Sequence, residues 1–339
     1  MNPPERILLA HGSGGRMTRR LVQDLFLPAL QNPYLSPLSD AALLPELPPG
    51  RPALTTDAFV VDPPVFPGGD LGYLSVCGTV NDLAVAGARP LWLTWALILE
   101  EGAEGSFLRT CVEGAARAAR EAGVALVAGD TKVVPRGKGD RLYAVTAGLG
   151  HLPPGRDAGD HRIRPGDAIL ATGPLGDHGA TILACRHKMA GEGLRSDCAP
   201  LSLLMEGLWS GGLELHAAHD PTRGGVLVTC HEVASRSGLR LVLDETALPV
   251  RSETRAVCDL LGLSPLSLPC EGRALLWVAE EDADRALDRL RAHPSGAGAV
   301  RIGVVEAARP GASPVALTTL SGEVRPLDLL SGTDLPRIC

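Results

Sequence analysis

The sequence predicts an α/β protein made of two mixed α/β domains and a short C-terminal tail. With 339 residues, the chain has the length of two domains. Its 45% hydrophobic and 21% charged residues are typical of folded globular proteins. In both halves, short apolar runs typical of buried strands alternate with segments of helical periodicity. A Pro/Gly-rich stretch after residue 150 then divides the chain into domains 1–150 and 151–330, with a tail at 331–339.

Composition argues against several classes of protein. The formal net charge of −7 and the absence of a basic run argue against nucleic-acid binding. No apolar stretch is long enough to span a membrane, and the N-terminal residues lack a secretory signal, so a cytoplasmic location is expected. The eight cysteines contain no CxxC pair, which argues against a zinc site or a disulfide framework.

A glycine-rich loop, His11-Gly12-Ser13-Gly14-Gly15, lies near the N-terminus. We predict a strand at Arg6–Ala10 before it and a helix from Met17 to Leu30 after it. Glycines between a strand and a helix offer backbone N–H groups to a phosphate. The loop is not a complete GxGxxG, so a flexible turn is an equally good interpretation.

Three aspartates, Asp57, Asp82 and Asp130, each interrupt an apolar strand or helix. A buried carboxylate needs a partner or a metal ion. If the three converge, they form an oxygen-ligand site for Mg²⁺ bound to nucleotide phosphates. Three separate capped or ion-paired aspartates are the alternative.

Lys132 follows Asp130 by two residues in a predicted strand, so the two side chains should point to the same face. Arginine supplies almost all of the 32 basic residues, and the lysines are Lys132, Lys138 and Lys188. Such a chain can keep lysine where a compact, deprotonatable amine is needed. Codon bias is the preferred explanation for Lys138 and Lys188.

Two polar turns stand out in the second half. His219, Asp220 and Arg223 precede a predicted helix at 226–236, where a capped helix start is the alternative to a functional role. Glu271 lies in a polar turn before an apolar strand, and it could also be a surface residue.

The chain ends in Pro336-Arg337-Ile338-Cys339. Ser331-Gly332 and Pro336 predict an extended, mobile tail, and nine residues can span roughly 30 Å. An exposed thiol is open to oxidation and exchange, so a chain that ends in one invites a chemical explanation, and an accidental terminal cysteine is the alternative.

In chain order, the motifs are HGSGG, TTDAFVV, FPGGDLG, CGTVNDLAVAGARP, GDTKVVPRGK, GDHG, HDPTRGGV, CEGR and PRIC. Over nearly the whole chain they resemble the HypE family of hydrogenase maturation proteins, in the aminoimidazole ribotide synthetase (PurM-like) superfamily. The most specific feature is the terminal PRIC combined with NDLAVAGARP and GDTKVVPRG. The sequence departs from the superfamily at Ser39, where relatives tend to have an acidic residue.

The resemblance implies two PurM-like α/β domains, a homodimer, and ATP with Mg²⁺ bound near the dimer interface. It also implies an ATP-dependent carbamoyl dehydratase. In that reaction Cys339 receives a carbamoyl group from the carbamoyltransferase HypF, and ATP-driven dehydration converts the thiocarboxamide to a thiocyanate. The cyanide then passes to iron on a HypC–HypD complex for [NiFe]-hydrogenase.

Carried onto this sequence, the resemblance and the residue chemistry together give four predicted groups. The catalytic residues are Cys339, Lys132 and Glu271, with Lys132 and Glu271 as candidate bases. The metal ligands are Asp57, Asp82 and Asp130. The nucleotide-binding residues are His11, Gly12, Ser13, Gly14, Gly15, Asp40, Asn81 and Thr131. The residues that bind or orient the tail are His219, Asp220 and Arg223.

The alternatives to a carbamoyl dehydratase are other enzymes of the same superfamily and a protein that is not an enzyme. A selenophosphate synthetase of the same superfamily would need a reactive Cys and Lys near the N-terminus, and the first twenty residues contain neither. Thiamine-phosphate kinase and aminoimidazole ribotide synthetase have no use for a PRIC tail. A non-catalytic carrier that presents a modified Cys339 is the alternative from a different class.

Overall fold

A computed structural model describes residues 4–189 and 193–329. The predicted mobile tail and Cys339 therefore lie outside the described residues. The described residues form two compact units, the first from residues 4–83 and 88–154, and the second from residues 84–87, 155–189 and 193–329.

The first unit contains a four-stranded sheet and a two-stranded ribbon. Its strands are β1 (Arg51–Phe59), β2 (Val65–Phe66), β3 (Gly69–Asp70), β4 (Arg89–Glu100), β5 (Ala125–Val134) and β6 (Leu142–Leu152). The helices are α1 (Arg16–Leu21), α2 (Leu27–Leu30), α3 (Leu71–Val85) and α4 (Gly105–Ala122), and a π-helical segment, Val22–Phe26, joins the first two. The sheet order is β1-β6-β4-β5, and only the β4–β5 pair is parallel.

The two faces of this sheet differ in burial. Along much of β4 and β6 alternate residues are buried, and along β1 half-buried residues alternate with exposed ones, as expected when one face packs on helices. On the covered face, the Trp95 indole N–H donates to Ser75 Oγ of α3 at 2.9 Å. On the opposite face, Leu54 is 76% exposed and Val145 is 36% exposed.

The second unit contains a seven-stranded sheet in the order β13-β12-β9-β11-β7-β10-β8. Its strands are β7 (Ala168–Ala171), β8 (Leu215–His219), β9 (Arg240–Asp244), β10 (Leu275–Val278), β11 (Val300–Glu306), β12 (Val315–Thr318) and β13 (Val324–Pro326). Its helices are α5 (Asp177–Arg186), α6 (Ser202–Trp209), α7 (Gly225–Ser237), α8 (Ser252–Leu261) and α9 (Ala283–Arg291).

Both faces of this sheet are covered at its centre. Every residue of β7 and β10 is buried. Ile169 and Trp277 belong to a core cluster that includes residues of α7, whereas Leu170 and Leu276 belong to a second cluster that includes residues of α6 and α9. Strands buried on both faces read as continuous apolar runs, and that is how β7 and β10 appear in the sequence.

The predicted two-domain α/β fold is confirmed, with local exceptions. The strand predicted at 6–10 is wrong: Arg6 forms a single bridge to Glu104, and Leu9–Gly12 is a 3-10 helix. Strand β8 was not predicted, because its sequence, LHAAH, lacks the β-branched and aromatic residues typical of strands. Among the described residues, no helix is both long and apolar enough to cross a membrane.

Candidate active site

The glycine-rich loop of the first unit packs against strand β5. A Cβ atom on Gly12 would lie 2.7 Å from the backbone nitrogen of Val133, so only glycine permits this approach. Gly14 has φ +79°, and its N–H donates to Thr18 Oγ1 at 3.0 Å. The loop therefore lies beside the β5 residues of the predicted site.

His11 is buried at the start of this loop. Its Nδ1 accepts the backbone N–H of Leu8 at 2.9 Å, and burial lowers the pKa of His11. The ring is thus held by the backbone and favours the neutral form near pH 7. Ser13 Oγ donates to the carbonyl of Leu9 at 3.1 Å, which fixes the turn from within.

Asp130 and Lys132 form an exposed ion pair on β5. The distance from Lys132 Nζ to Asp130 Oδ2 is 2.7 Å, and the side chains are 66% and 60% exposed for Lys132 and Asp130 respectively. This contact confirms that both point to one face of the strand. The hydrogen bond from Lys132 lowers the pKa of Asp130, whose Oδ1 also accepts the N–H of Thr131 at 2.7 Å.

Asp57 and Asp82 lie between β1 and α3, each beside a threonine hydroxyl. Thr79 Oγ1 of α3 donates to Asp57 Oδ2 at 3.2 Å, and Thr55 Oγ1 of β1 donates to Asp82 Oδ2 at 2.7 Å. The two carboxylates therefore share one layer of the first unit. Asn81, the preceding residue of α3, is buried.

The three predicted metal ligands do not converge within the chain. Asp57 lies on β1 and Asp130 on β5, the opposite edges of the four-stranded sheet, which places them about 14 Å apart at three strand spacings. They also occupy opposite faces, since Asp57 pairs with Thr146 on the α3 face and Asp130 pairs with Ala96 on the open face. Within residues 4–189 and 193–329, no three His, Cys, Asp or Glu side chains are placed to hold one metal ion.

In the second unit, Glu271 lies in a buried turn, not on the surface. It is 3% exposed. Its N–H donates to Asp197 Oδ1 at 3.4 Å, and its carbonyl accepts the N–H of Ala199 at 3.4 Å. Before it, the N–H of Cys270 donates to the carbonyl of Pro221 at 2.9 Å. The backbone of this turn is therefore held on both sides.

His219 ends strand β8 and contacts a carboxylate outside its own turn. Its Nε2 lies 2.7 Å from Asp160 Oδ1, and Arg236 Nε lies 2.7 Å from Asp160 Oδ2. Burial raises the pKa of Asp160, but the hydrogen bonds and charges of His219 and Arg236 outweigh it, so the pKa is lower than usual. Asp220 is half-buried and Arg223 is exposed in the turn that follows.

Sequence reasoning missed a buried polar cluster around the start of α5. His178 is fully buried, and burial together with the charge of Arg186 lowers the pKa of His178 to about 3, which keeps the ring neutral. Asp177 accepts a hydrogen bond from Thr254 at 2.5 Å and lies 3.2 Å from Arg251 Nε. The GDHG motif was a usable signal for these two residues. Asp197, which also belongs to the cluster, had no such signal, because SDCAP is typical of a surface loop.

Three of the predicted catalytic and metal-binding residues differ in their exposure to solvent. In the first unit Asp130 and Lys132 are exposed, and in the second unit Glu271 is buried. Lys132 and Glu271 belong to different units, so their pairing stays a prediction. Asp40 is exposed in the segment between α2 and β1.

Comparison with protein-family models identifies both halves of the chain. The model described as AIR synthase related protein, N-terminal domain, matches residues 38–152, and the corresponding C-terminal domain model matches residues 164–314. Carbamoyl dehydratase HypE of Rhodobacter capsulatus is 48% identical to the chain, over 99% of this chain and 98% of the relative. The chain belongs to the HypE family. The resemblance found in the sequence is therefore confirmed.

Solved HypE structures agree with this assignment. The chain matches a HypE structure in complex with ATP at a TM-score of 0.93 and 44% identity, covering 98% of this chain and 99% of that one. It also matches HypE in a HypE–HypF complex, at a TM-score of 0.79 and 39% identity, covering 91% and 99% respectively. The fold assigned to both units is thus the HypE fold.

Proposed function

We propose that this member of the HypE family dehydrates, at the expense of ATP, a carbamoyl group carried on Cys339. The observation that carries the proposal is the terminal PRIC sequence on a chain that is 48% identical to a carbamoyl dehydratase over its full length. The product is a thiocyanate, whose cyanide becomes the ligand of hydrogenase iron. The enzyme is accordingly a carbon–oxygen lyase that converts ATP to ADP and phosphate.

The chemistry requires activation of the carbamoyl oxygen. Oxide and hydroxide are poor leaving groups, whereas phosphate is a good one. Transfer of the ATP γ-phosphoryl group to the oxygen of Cys339–S–CO–NH₂ gives an O-phosphoryl intermediate. Loss of phosphate and of the two N–H protons then leaves Cys339–S–C≡N. In total, one thiocarboxamide and one ATP give one thiocyanate, ADP, phosphate and a proton.

The first unit supplies the nucleotide site of this proposal. A related HypE structure contains ATP. In this chain Gly12 of the loop packs against Val133 of β5, the residue that follows the exposed Lys132. The backbone N–H groups of the loop and the Lys132 ammonium are proposed to bind phosphate oxygens. Asp40 and Asn81 complete the proposed set, with Asn81 on α3.

The residues present fit a magnesium ion at Asp57 and Asp82. Mg²⁺ is commonly bound by one or two carboxylates together with waters and substrate phosphates, and these two carboxylates share one layer between β1 and α3. When bound, the ion would neutralise charge on the phosphates of ATP. Because these carboxylates lie on the opposite face of the sheet from Lys132, one ATP would meet both groups only at the interface of the proposed homodimer. Asp130, on the far edge of the sheet, instead holds the ammonium of Lys132.

Glu271 and Lys132 are the two candidates for the base that removes the N–H protons. Glu271 is buried on a turn fixed by backbone contacts, which suits a base that must keep one position. Lys132 is exposed and paired with Asp130, which suits a phosphate-binding cation better than a base. We therefore assign the base role to Glu271 and phosphate binding to Lys132. His219, Asp220 and Arg223 are proposed to orient the tail.

The proposed partners follow from the same reaction. A HypF-like carbamoyltransferase supplies the carbamoyl group, in keeping with a structure of a related HypE bound to HypF. A HypC–HypD complex accepts the cyanide, and the reaction takes place in the cytoplasm. A homodimer is proposed as well, because the open face of the four-stranded sheet exposes Leu54 and Val145.

Mass measurement of the C-terminal peptide tests the proposal. With carbamoyl phosphate, the carbamoyl-transferring partner, ATP and Mg²⁺, we expect Cys339 to gain about 43 Da and then lose about 18 Da. Both changes should vanish in Cys339→Ser, with Cys185→Ser as the matched control. Gain without ATP-dependent loss would favour a carrier over an enzyme. No gain at all would show that the terminal thiol is not the substrate.

A further inference from the structure

We propose that Asp197 is a positioning residue that sets the place of Glu271 for the dehydration step. The inference rests on the proposed function, because it concerns the residue assigned there as the base. Asp197 lies in the segment between α5 and α6. It belongs to no motif by which the chain was identified, and its side chain has no exposed surface.

The carboxylate of Asp197 holds the turn that carries Glu271. Oδ1 accepts the backbone N–H of Glu271 at 3.4 Å, and Oδ2 accepts the N–H of Gly272 at 3.3 Å. Two consecutive amides of one turn are thus bound by the two oxygens of one carboxylate. This contact limits both the translation and the rotation of the Glu271 backbone.

The same carboxylate ties this turn to the start of α5. Asp197 Oδ1 also accepts the N–H of His178 at 3.0 Å, and the preceding Ser196 Oγ lies 2.8 Å from His178 Nδ1. Through Asp197, the turn that carries Glu271 is therefore hydrogen-bonded to the buried first turn of α5.

The backbones at this contact are too close to rearrange freely. A Cβ atom on Gly272 would lie 1.9 Å from the carbonyl oxygen of Asp197, so glycine is required there. The N–H of Ala199 donates to the carbonyl of Glu271 at 3.4 Å and closes the contact from the other side. The backbone segments around Asp197 and Gly272 are thus in direct contact beside the Asp197 carboxylate.

Two groups of the turn that carries Glu271 stabilise the charged form of the Asp197 carboxylate. Burial raises the pKa of Asp197, and the charge of Asp177 adds to this, whereas the Arg273 guanidinium and the N–H of Glu271 lower it. Arg273 Nε lies 3.8 Å from Asp197 Oδ2, and the guanidinium also donates to the carbonyls of Pro174 and Ser295. The groups that stabilise the carboxylate therefore also fix the residues on either side of Glu271.

The asparagine variant removes this positioning with little change in shape. In Asp197→Asn, one oxygen can still accept N–H groups, but the new NH₂ group faces the N–H of Gly272 and the Arg273 guanidinium. We expect dehydration of preloaded Cys339 to slow about 10- to 100-fold. The KM for ATP should be unchanged, because the proposed nucleotide residues belong to the first unit.

The matched control is Asp282→Asn. Asp282 is a buried carboxylate of the same unit that likewise accepts a backbone N–H, from Glu214 at 2.8 Å, and contacts an arginine, Arg285, at 2.5 Å. It reports the cost of losing a buried charge without touching the Glu271 turn. A rate for Asp197→Asn equal to that of Asp282→Asn overturns the proposal.

A double-mutant cycle separates positioning from a merely structural role. If Asp197 acts through Glu271, the double variant Asp197→Asn/Glu271→Gln dehydrates no more slowly than Glu271→Gln alone. A double variant that is slower by the product of the two single effects overturns the proposal. Should Asp197→Asn fail to fold, Arg273→Lys replaces it in the same cycle with the same two outcomes.

The failure of this inference can be told apart from failure of the proposed function. If the wild type never loses water from loaded Cys339, or if Glu271→Gln dehydrates at the wild-type rate, the role assigned to Glu271 is wrong and the inference is overturned with it. If the wild type and Glu271→Gln behave as proposed while Asp197→Asn matches its control, only the positioning role is overturned.

Discussion

The two sheets of this protein present their polar residues in opposite ways. The four-stranded sheet is covered on one face, and Lys132, the proposed phosphate-binding residue, stands exposed on β5 together with its ion-pair partner Asp130. The seven-stranded sheet is covered on both faces at its centre, and the turn that bears Glu271 is buried beside it. Exposed groups are suited to a ligand that arrives and leaves, whereas buried groups are suited to a step that needs one fixed geometry.

Removal of the proposed base should give the largest effect. We expect Glu271→Gln to slow dehydration of carbamoylated Cys339 by about 10²- to 10⁴-fold, because general base catalysis contributes a factor of this size. Loading of Cys339 should be unchanged. The rate is measured from the mass of the C-terminal peptide, with the exposed Glu281→Gln as control. A loss of less than about threefold would contradict a base role for Glu271.

Substitution of Lys132, the exposed lysine of β5, should slow turnover less than the loss of Glu271 and should also weaken ATP binding. Loss of a cation from a phosphoryl-transfer site costs about 10²-fold in turnover. We expect Lys132→Met to lower carbamoyl-dependent ADP release by that order and to raise the KM for ATP. Lys138→Met, an exposed lysine of the same unit, should match the wild type. Equal rates for the two variants would remove Lys132 from the site.

Substitution of Asp82, one of the two carboxylates between β1 and α3, should mainly weaken the binding of Mg²⁺. Asp82→Asn removes one of the two proposed Mg²⁺ ligands but keeps an oxygen that can accept from Thr55. We expect the affinity for ATP in the presence of Mg²⁺ to fall about 10-fold, with little change in its absence. Calorimetric titration at several Mg²⁺ concentrations, against Asp140→Asn, decides the question. An affinity that is equally reduced without Mg²⁺ would point to a structural role.

The smallest predicted effect concerns stability in the first unit. Asp70 is buried at the start of α3, where its Oδ1 accepts the N–H of Tyr73 at 2.9 Å. Burial raises the pKa of Asp70 from 3.8 to about 6. The folded state therefore binds this proton more tightly than the unfolded chain does, and the stabilisation, complete below about pH 4, is lost as the pH rises through about 6.

Asp70→Asn removes this titration and keeps the acceptor for Tyr73. Relative to the wild type, its free energy of unfolding should rise by about 2 kcal/mol between pH 4 and pH 8. Urea denaturation of both proteins across this range gives the difference directly. Parallel pH curves for the two proteins would show that Asp70 does not titrate as described.

The local pattern of apolar and polar residues predicted most of the helices and strands, but it did not predict which site residues lie close together. The helix predicted at 226–236 is α7, which differs from the prediction by one residue at each end, because apolar periodicity and flanking glycines mark its ends. The Asp130–Lys132 contact followed from the period of a strand. The convergence of Asp57 with Asp130 did not hold, because strand order is a long-range property that no single segment encodes.

The buried cluster of the second unit was hidden for a related reason. Asp197 is separated from Glu271 by 74 residues, and its carboxylate matters only because a glycine at 272 lets the two backbones meet. Composition and residue spacing do not predict that contact. Family resemblance, in contrast, located Glu271 through the CEGR motif, without revealing what holds it in place.

An oxygen-isotope experiment shows whether ATP activates the carbamoyl oxygen for its departure. Cys339 would first be loaded from carbamoyl phosphate labelled with ¹⁸O at its carbonyl, and the loaded protein would be freed of the loading mixture, because carbamoyl phosphate also releases unlabelled phosphate. Unlabelled ATP would then be added, and the phosphate released in this second step would be analysed. One ¹⁸O is expected in each phosphate formed with thiocyanate from a labelled carbamoyl group, because the carbamoyl oxygen leaves as part of that phosphate. Unlabelled phosphate, with the isotope recovered in water, would contradict activation of the oxygen by ATP.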